Sequence, residues 1–303
     1  MIDAGQSANL SQNWKLTVSY DGTGFHGWQV QPGKRTVQGE LRAALGRVTG
    51  ETPLPQGSGR TDAGVHALAQ VASFELHVPI PAGNLQMALN RTLPPSIRII
   101  ETRTVRSTFH ARHSAVAKTY EYHVFLEKPW PWSDKRTPSR ICPPFLAPYI
   151  YVYPWPLHFA ALEEAARPFV GEHDFSSFAA TEPDLATRNG DTEEAEPPRP
   201  LPRPDFQPEP PRPATMRTLF SSHWQVQESD TGPIFVYRVR GSGFLHHMVR
   251  NLVGTMLDVG RGQIRAGQMA SILAARNRAA AGPTAPAQGL FLHSVEYGGA
   301  EEG

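Results

Sequence analysis

The stretch Trp14-Lys15-Leu16-Thr17-Val18-Ser19-Tyr20-Asp21-Gly22 alternates apolar and polar side chains and then stops. A period of two puts Trp14, Leu16, Val18 and Tyr20 on one face of a half-buried strand, and Asp21-Gly22 marks the turn that ends it. Downstream, Val37, Leu41, Ala44, Leu45 and Val48 recur at helical spacing, with Thr36 placed to cap the start and Gly50 to stop the helix. Residues 71–76 read as a strand, 84–93 as a helix ahead of Pro94-Pro95, and 97–104 as another strand. In the second half, residues 118–126 read as a strand with Tyr120, Tyr122 and Val124 on one face. Residues 159–170 read as a helix despite Pro168. Residues 224–226 and 234–240 read as strands paired about Asp230-Thr231-Gly232, and 245–259 as a buried helix. Strands and helices mix without regular alternation and no internal repeat is visible. That pattern predicts an α+β fold with helices on one face of a sheet.

Apolar residues make up 40% of the 303 and charged residues 19%, so a folded core is expected; a globular chain of this size buries roughly 75% of its unfolded surface. The single cysteine, Cys142, permits no intrachain disulfide, and no cysteine pair suggests zinc. The start lacks the basic and apolar blocks of a signal peptide. No apolar run approaches the ~20 residues of a membrane span. The expectation is a soluble, cytoplasmic protein with no membrane partner. Residues 181–214 hold eight acids, four arginines and ten of the 29 prolines. Their net charge is −4, so against a total of +1 the rest of the chain carries +5. Few apolar residues there can offset ordering, so the segment reads as a disordered insertion, with a polyproline docking peptide as the alternative. A mildly basic body suits a polyanionic partner, and an ordinary mixed surface accounts for the charge as well. Residues 1–12 and 299–303 read as loose ends.

The chemistry concentrates at Gly59-Arg60-Thr61-Asp62-Ala63-Gly64-Val65-His66-Ala67. Two glycines frame a short polar run just before a strand, which can present Asp62 at a sheet edge. Arg60, two residues earlier, is placed to hold that carboxylate ionised, as a nucleophile or base. A tight loop with an Asx turn and a surface salt bridge fits the same residues. Tyr120 and Tyr122 read equally as core, and Arg250 as a helix residue paired with a nearby acid. His110, His113, His246 and His247 raise the question of a metal, but no convincing ligand set emerges. Lys118, Arg106, Arg112 and Arg136 form either a solvated face or a phosphate contact.

The 59–67 segment resembles the signature of the TruA family of tRNA pseudouridine synthases. Further motifs follow in order: residues 20–29 (YDGTGFHGWQ), Thr36-Val37-Gln38, Ala88-Leu89-Asn90, Phe109-His110-Ala111-Arg112, Lys118 with Tyr120 and Tyr122, and residues 171–175 (GEHDF). Residues 243–251 (GFLHHMVRN) and 289–292 (GLFL) complete the series. The resemblance spans roughly residues 14–298; it is weak over 128–156 and interrupted by 181–214. It implies a pseudouridine synthase fold, with two related α+β halves (13–115 and 116–298) sharing a mainly antiparallel sheet and a central catalytic cleft. It implies a homodimer and no metal or organic cofactor. The implied substrate is the anticodon arm of tRNA, at positions 38, 39 and 40, with no DNA.

By the same resemblance Asp62 matches the catalytic aspartate, and Tyr122, with Tyr120 beside it, the tyrosine that packs on the target base. Arg60 matches an arginine contacting RNA near the flipped nucleotide, and Arg250 an arginine pairing with the aspartate. Arg112, His113, Ser114, Lys118, Arg217 and Thr218 lie in RNA-contacting segments. Turning uridine into pseudouridine cleaves a C–N glycosidic bond, rotates the base and forms a C–C bond. Neither redox nor hydrolysis is involved. One carboxylate suffices, by adding to C6 of the uracil, attacking C1′ of the ribose, or removing the C2′ proton. Flipping the base costs a few kcal/mol, of which a stacking tyrosine returns roughly 1–3 kcal/mol. A silent RNA-binding protein, a synthase with another RNA target and an Asp-nucleophile glycosidase are the alternatives. The last calls for a second carboxylate nearby.

Overall fold

The computed structural model describes residues 11–128, 139–180 and 213–299. The expectations for residues 1–10, for Arg136, for 181–212 of the insertion and for the tail from 300 onward lie outside these residues. The alternating stretch forms β1 (Gln12–Tyr20), with Trp14, Leu16, Val18 and Tyr20 buried. Helix α1 (Val37–Thr49) starts where the Thr36 side chain accepts from the Gly39 N–H, and ends on Gly50 in a left-handed conformation. After β2 (Gln56–Gly57) and β3 (His66–Leu76) come α2 (Ala82–Thr92) and β4 (Ile97–Val105). Asn90 ties α2 to β4 by donating to the Ile99 carbonyl at 2.9 Å and accepting from the Ile99 N–H at 2.8 Å. Strand β5 (Ala115–Leu126) opens the second half, followed by β6 (Tyr151–Tyr153), α3 (Phe159–Ala166) and β7 (Gly171–Asp174). Then come β8 (Met216–Gln227), β9 (Ile234–Gly241), α4 (Met248–Gly260), α5 (Met269–Ala274) and β10 (Leu290–Tyr297).

The strands join into one sheet in the order β4-β1-β3-β10-β5-β9-β8-β7, with β2 paired to β3 and β6 to β5. Its ladders are antiparallel except β10 with β3 and β5 with β6. One face carries Trp14, Leu16, Tyr120, Tyr122, Trp224 and Tyr237, and it shares a core with Leu41 and Leu45 of α1, Leu85 and Leu89 of α2, Leu162 of α3 and Leu252 of α4. The fold is therefore the α+β arrangement expected.

Several elements differ from their sequence reading, β3 starting at His66 rather than 71 and β5 at Ala115 rather than 118 among them. Pro168 has no N–H to give, so the helix predicted over 159–170 ends at Ala166 and a 3-10 turn, Arg167–Phe169, finishes it. The helix expected from 245 starts at Met248, because His247 stands at φ 59 in the left-handed region. Strand β8 is 12 residues long where three were expected. Its inner face carries Ser222, whose hydroxyl pairs with the Tyr237 hydroxyl at 2.7 Å. A buried hydrogen bond there replaces the apolar residue that periodicity looks for.

Candidate active site

Asp62 sits on the loop from β2 to β3, and the segment after β1 cradles that loop. The Trp28 N–H donates to the Thr61 carbonyl at 3.0 Å. The Tyr20 and Thr61 hydroxyls pair at 2.8 Å, and the Gly22 N–H donates to His66 Nδ1 at 3.0 Å. Gly27 has φ +85, and a Cβ there would lie 2.6 Å from the Thr61 carbonyl oxygen. Only glycine allows so close an approach in that conformation. On the other side Gln70 donates to the Gly59 carbonyl at 2.8 Å and accepts from Ser58 Oγ at 2.6 Å. The backbone on either side of Asp62 is thus held at Ser58, Gly59 and Thr61, which positions the loop that carries its carboxylate.

Three cationic or titratable groups from the start of α4 meet that carboxylate. His246 Nε2 lies 3.1 Å from Oδ1, and His247 Nε2 lies 3.4 Å from Oδ2. Arg250 Nη1 donates to Oδ2 at 3.2 Å. Arg250 is itself anchored, Nε donating to the Ala285 carbonyl at 2.7 Å. The neighbouring Pro286 carbonyl accepts the Tyr122 hydroxyl at 2.8 Å, so one short segment supports both the arginine and the tyrosine. Burial alone would raise the Asp62 pKa. The hydrogen bond from His246 and the charges of His247, His246 and Arg250 outweigh it, and the carboxyl is held below the usual range.

This corrects one expectation. The groups that keep Asp62 ionised are His246, His247 and Arg250, while Arg60 is exposed on the loop. In the sequence the two histidines stand out as a metal hint and as part of the 243–251 motif, with no role toward Asp62 attached. The signal for their role was their spacing, three and four residues before Arg250.

Asp62, His246 and His247 bring three possible metal ligands within 4.8 Å of one another. The two rings are tilted against each other, with centroids 3.9 Å apart and planes at 31°. Arg250 also occupies Oδ2. The set fits a clamp on a carboxylate better than a metal cage.

Tyr122 lies beneath the site, 0% exposed, and burial raises its hydroxyl pKa. Tyr120, 8% exposed, meets the Phe244 ring edge-on at 4.9 Å. Both hydroxyls stay neutral, and both rings belong to the core on that face of the sheet. Beside the Asp62 loop Lys118 donates to the Ser58 carbonyl. Burial, then the charges of Arg112 and Arg217, push its ammonium down to about 8. These three candidate RNA contacts are therefore gathered in one place. Ser114 and His113 instead shape a turn. Ser114 Oγ accepts from the His110 N–H at 3.1 Å, and the His113 ring lies 4.4 Å from that of His110. Thr218 pairs with Glu172 in the β7–β8 ladder.

Comparison with known proteins bears on this constellation. The family model described as tRNA pseudouridine synthase matches residues 16–114 and 205–298. A tRNA pseudouridine synthase A from Solibacter usitatus is 46% identical over 283 residues, covering 93% of this chain and 98% of the relative. The protein of that name from Bacillus subtilis is 38% identical, with the same coverage. One from Maridesulfovibrio salexigens is 38% identical over 95% of this chain and 91% of its own length. The matched span contains the Asp62 loop, its cradle and the His246–Arg250 segment, and on that ground the chain belongs to the tRNA pseudouridine synthase family.

Proposed function

We propose that this protein isomerises uridine to pseudouridine at positions 38, 39 and 40 of the tRNA anticodon arm, with Asp62 acting on a flipped-out uridine. The observation that carries the reading is the Asp62 carboxylate kept ionised against its own burial, on a loop fixed by the segment after β1 and faced by His246, His247 and Arg250. Among the described residues, the groups that touch Asp62 include no second carboxylate, which speaks against the glycosidase alternative. The charge of Asp62 serves equally for addition to C6, attack at C1′ or removal of the C2′ proton. Tyr122 packing on the flipped base calls for its ring, fully covered here, to be uncovered when the base enters, and Arg60 is placed on the exposed side of the loop to contact the strand it leaves.

Lys118, Arg112 and Arg217 repel one another, and an anion between them relieves that repulsion. A phosphate of the RNA backbone fits this chemistry. Three adjacent target uridines cannot share one base-specific grip, so recognition runs through phosphate, ribose and shape. A homodimer suits it, one subunit holding the tRNA body while the other receives the anticodon arm. A tRNA substrate agrees with the cytoplasmic location expected from the sequence.

The chemistry calls for no cofactor. The test is tritium release from 5-tritiated uridine in unmodified tRNA, with EDTA present and nothing added. Release is expected; dependence on added metal or nucleotide overturns the cofactor-free reading. Mapping pseudouridines in total RNA from a deletion strain tests the target. Loss at several adjacent anticodon-arm positions is expected, and loss confined to one ribosomal site rejects the assignment.

A further inference from the structure

We infer that Asn251 is a positioning residue for the reaction: with Thr284 and Arg278 it fixes the segment 282–286, and through that segment the Arg250 guanidinium on Asp62. The inference deepens the reading above and rests on the role given there to Asp62.

Arg250 is aimed by Ala285. Its Nε donates to the Ala285 carbonyl at 2.7 Å, and its own carbonyl accepts from the Ala285 N–H at 3.1 Å. Ala285 therefore grips the arginine by side chain and backbone together. A guanidinium is a rigid planar fork, so the bond at Nε sets where Nη1 points. Nη1 meets Asp62 Oδ2 at 3.2 Å. Where Ala285 stands thus decides whether Arg250 reaches the carboxylate.

A buried knot of directional bonds holds the residues around Ala285. Asn251, next to Arg250 in the chain, is 0% exposed. Its Nδ2 donates to the Phe178 carbonyl at 2.8 Å. Its Oδ1 accepts from Thr284 Oγ1 at 2.6 Å and from Arg278 Nη2 at 3.2 Å. The Thr284 hydroxyl accepts in turn from Arg278 Nη2 at 3.1 Å, and Arg278 Nη1 donates to the Gly282 carbonyl at 2.9 Å. Only one orientation of the Asn251 amide, oxygen toward the two donors and nitrogen toward the carbonyl, serves all these partners. The segment also lies hard against α4. A Cβ on Gly254 would stand 1.7 Å from the Pro283 carbonyl oxygen, and Thr255 Oγ1 accepts from the Gly282 N–H at 2.9 Å. An apolar contact would hold such a segment with slack. Buried hydrogen bonds are costly to bend or leave unmade, so this knot admits one geometry. The Pro286 carbonyl that takes the Tyr122 hydroxyl belongs to the same segment, so a shift there reaches both the arginine and the tyrosine.

Thr284→Val keeps the shape and removes the hydroxyl; Thr284→Ser restores it. The single-turnover rate should fall about 10–10²-fold in Thr284→Val and stay within about threefold of wild type in Thr284→Ser. Asn251→Ala should fall at least as far as Thr284→Val. Two readouts separate positioning from a general loosening of the fold. In an Arg250→Met background Thr284→Val should slow the reaction no further, because the arginine it acts through is gone. The Asp62 carboxyl, faced by His246, His247, Arg250 and Tyr120, can be titrated by NMR with 13C-labelled aspartate. It should titrate at higher pH in Thr284→Val than in wild type, because an opposing cation has withdrawn, and as wild type in Thr284→Ser. Losses that multiply in the double variant, or an Asp62 titration that Thr284→Val leaves in place, overturn the proposal however slow the variants are. The titration needs no turnover. A wild type that releases no tritium, or an active Asp62→Asn, therefore defeats the proposed reaction and not the positioning.

Discussion

Two carboxylates in this protein keep nearly the same company and do different things. Asp62 is met by His246, His247 and Arg250. Glu121 is met by His123 at 3.4 Å, His293 at 3.9 Å and Arg238. Glu121 lies between Tyr120 and Tyr122 on β5, so its side chain emerges on the opposite face of the sheet. Its partners are on strands, with Arg238 directly across the β5–β9 ladder. The partners of Asp62 come from a loop and the first turn of a helix. Both carboxyls are held below the ordinary range, but for different leading reasons. For Glu121 the hydrogen bond with His123 dominates. For Asp62 the largest influence is burial, which opposes ionisation, so its charge exists because its partners overcome that penalty. A cluster of one acid, two imidazoles and one guanidinium does not by itself mark an active site. What separates Asp62 from Glu121 is a carboxylate kept charged against burial, on a loop whose position is fixed from behind.

The sharpest separation should come from removing each charge. Asp62→Asn should lower turnover by at least roughly 10³–10⁴-fold while tRNA affinity stays within about threefold, since the lost contact matters in the transition state. Glu121→Gln should do the reverse: turnover near wild type and stability down by about 1–3 kcal/mol, read by denaturant titration, as Arg238 loses its partner. An inactive, fully stable Glu121→Gln would erase the distinction.

The next effect concerns what keeps Asp62 ionised. Arg250→Met removes one of the opposing charges and leaves His246, His247 and the neutral Tyr120 hydroxyl facing the carboxyl. Because the wild-type pKa is depressed, activity that needs the carboxylate persists as pH falls until that lowered pKa is reached. In Arg250→Met the acid limb of kcat/KM against pH should move to higher pH. An unmoved limb would mean that Arg250 does not tune Asp62. The same sign holds for stability: the Asp62 contribution is complete above its unfolded pKa and is lost as pH falls through the folded one.

Gly27→Ala probes the cradle. The added methyl would crowd the Thr61 carbonyl in a left-handed conformation that costs roughly 1–2 kcal/mol for a non-glycine residue. Melting temperature should fall modestly and kcat more than stability predicts. A loss of stability with kcat intact would show that the cradle holds the fold but not the carboxylate.

The smallest effect belongs to Lys118. Its ammonium titrates at about 8, so tRNA affinity should weaken as pH rises through that value in wild type and stay flat in Lys118→Arg. Lys118→Ala should reduce the slope of log affinity against log salt by about 1. An unchanged slope would take Lys118 out of phosphate contact.

Much of this was legible in the residues. Strand β1, helix α1 with both its ends, and the β8–β9 turn follow from alternation, spacing and caps, which are local signals. Asp62 stood out because glycines frame it ahead of a strand, and the ordered motifs carried the family. Strand β10 was harder, since it lies between β3 and β5, partners more than 160 residues away in sequence. Its short apolar run carries no periodicity of its own to announce it.

The sequence by itself determined the fold class, the family and the carboxylate, because periodicity, turn chemistry and motif order are properties of neighbouring residues. Tertiary structure decided that His246 and His247 join Arg250, the partner the resemblance implied, around that carboxylate. His246, His247 and Arg250 lie 184 to 188 positions beyond Asp62, and Arg60, two positions before it, is exposed. Nearness along a chain does not decide nearness in space. An extended loop turns successive side chains apart, whereas the fold brings the start of α4 onto the Asp62 loop, where charge acts over a few ångströms regardless of sequence separation.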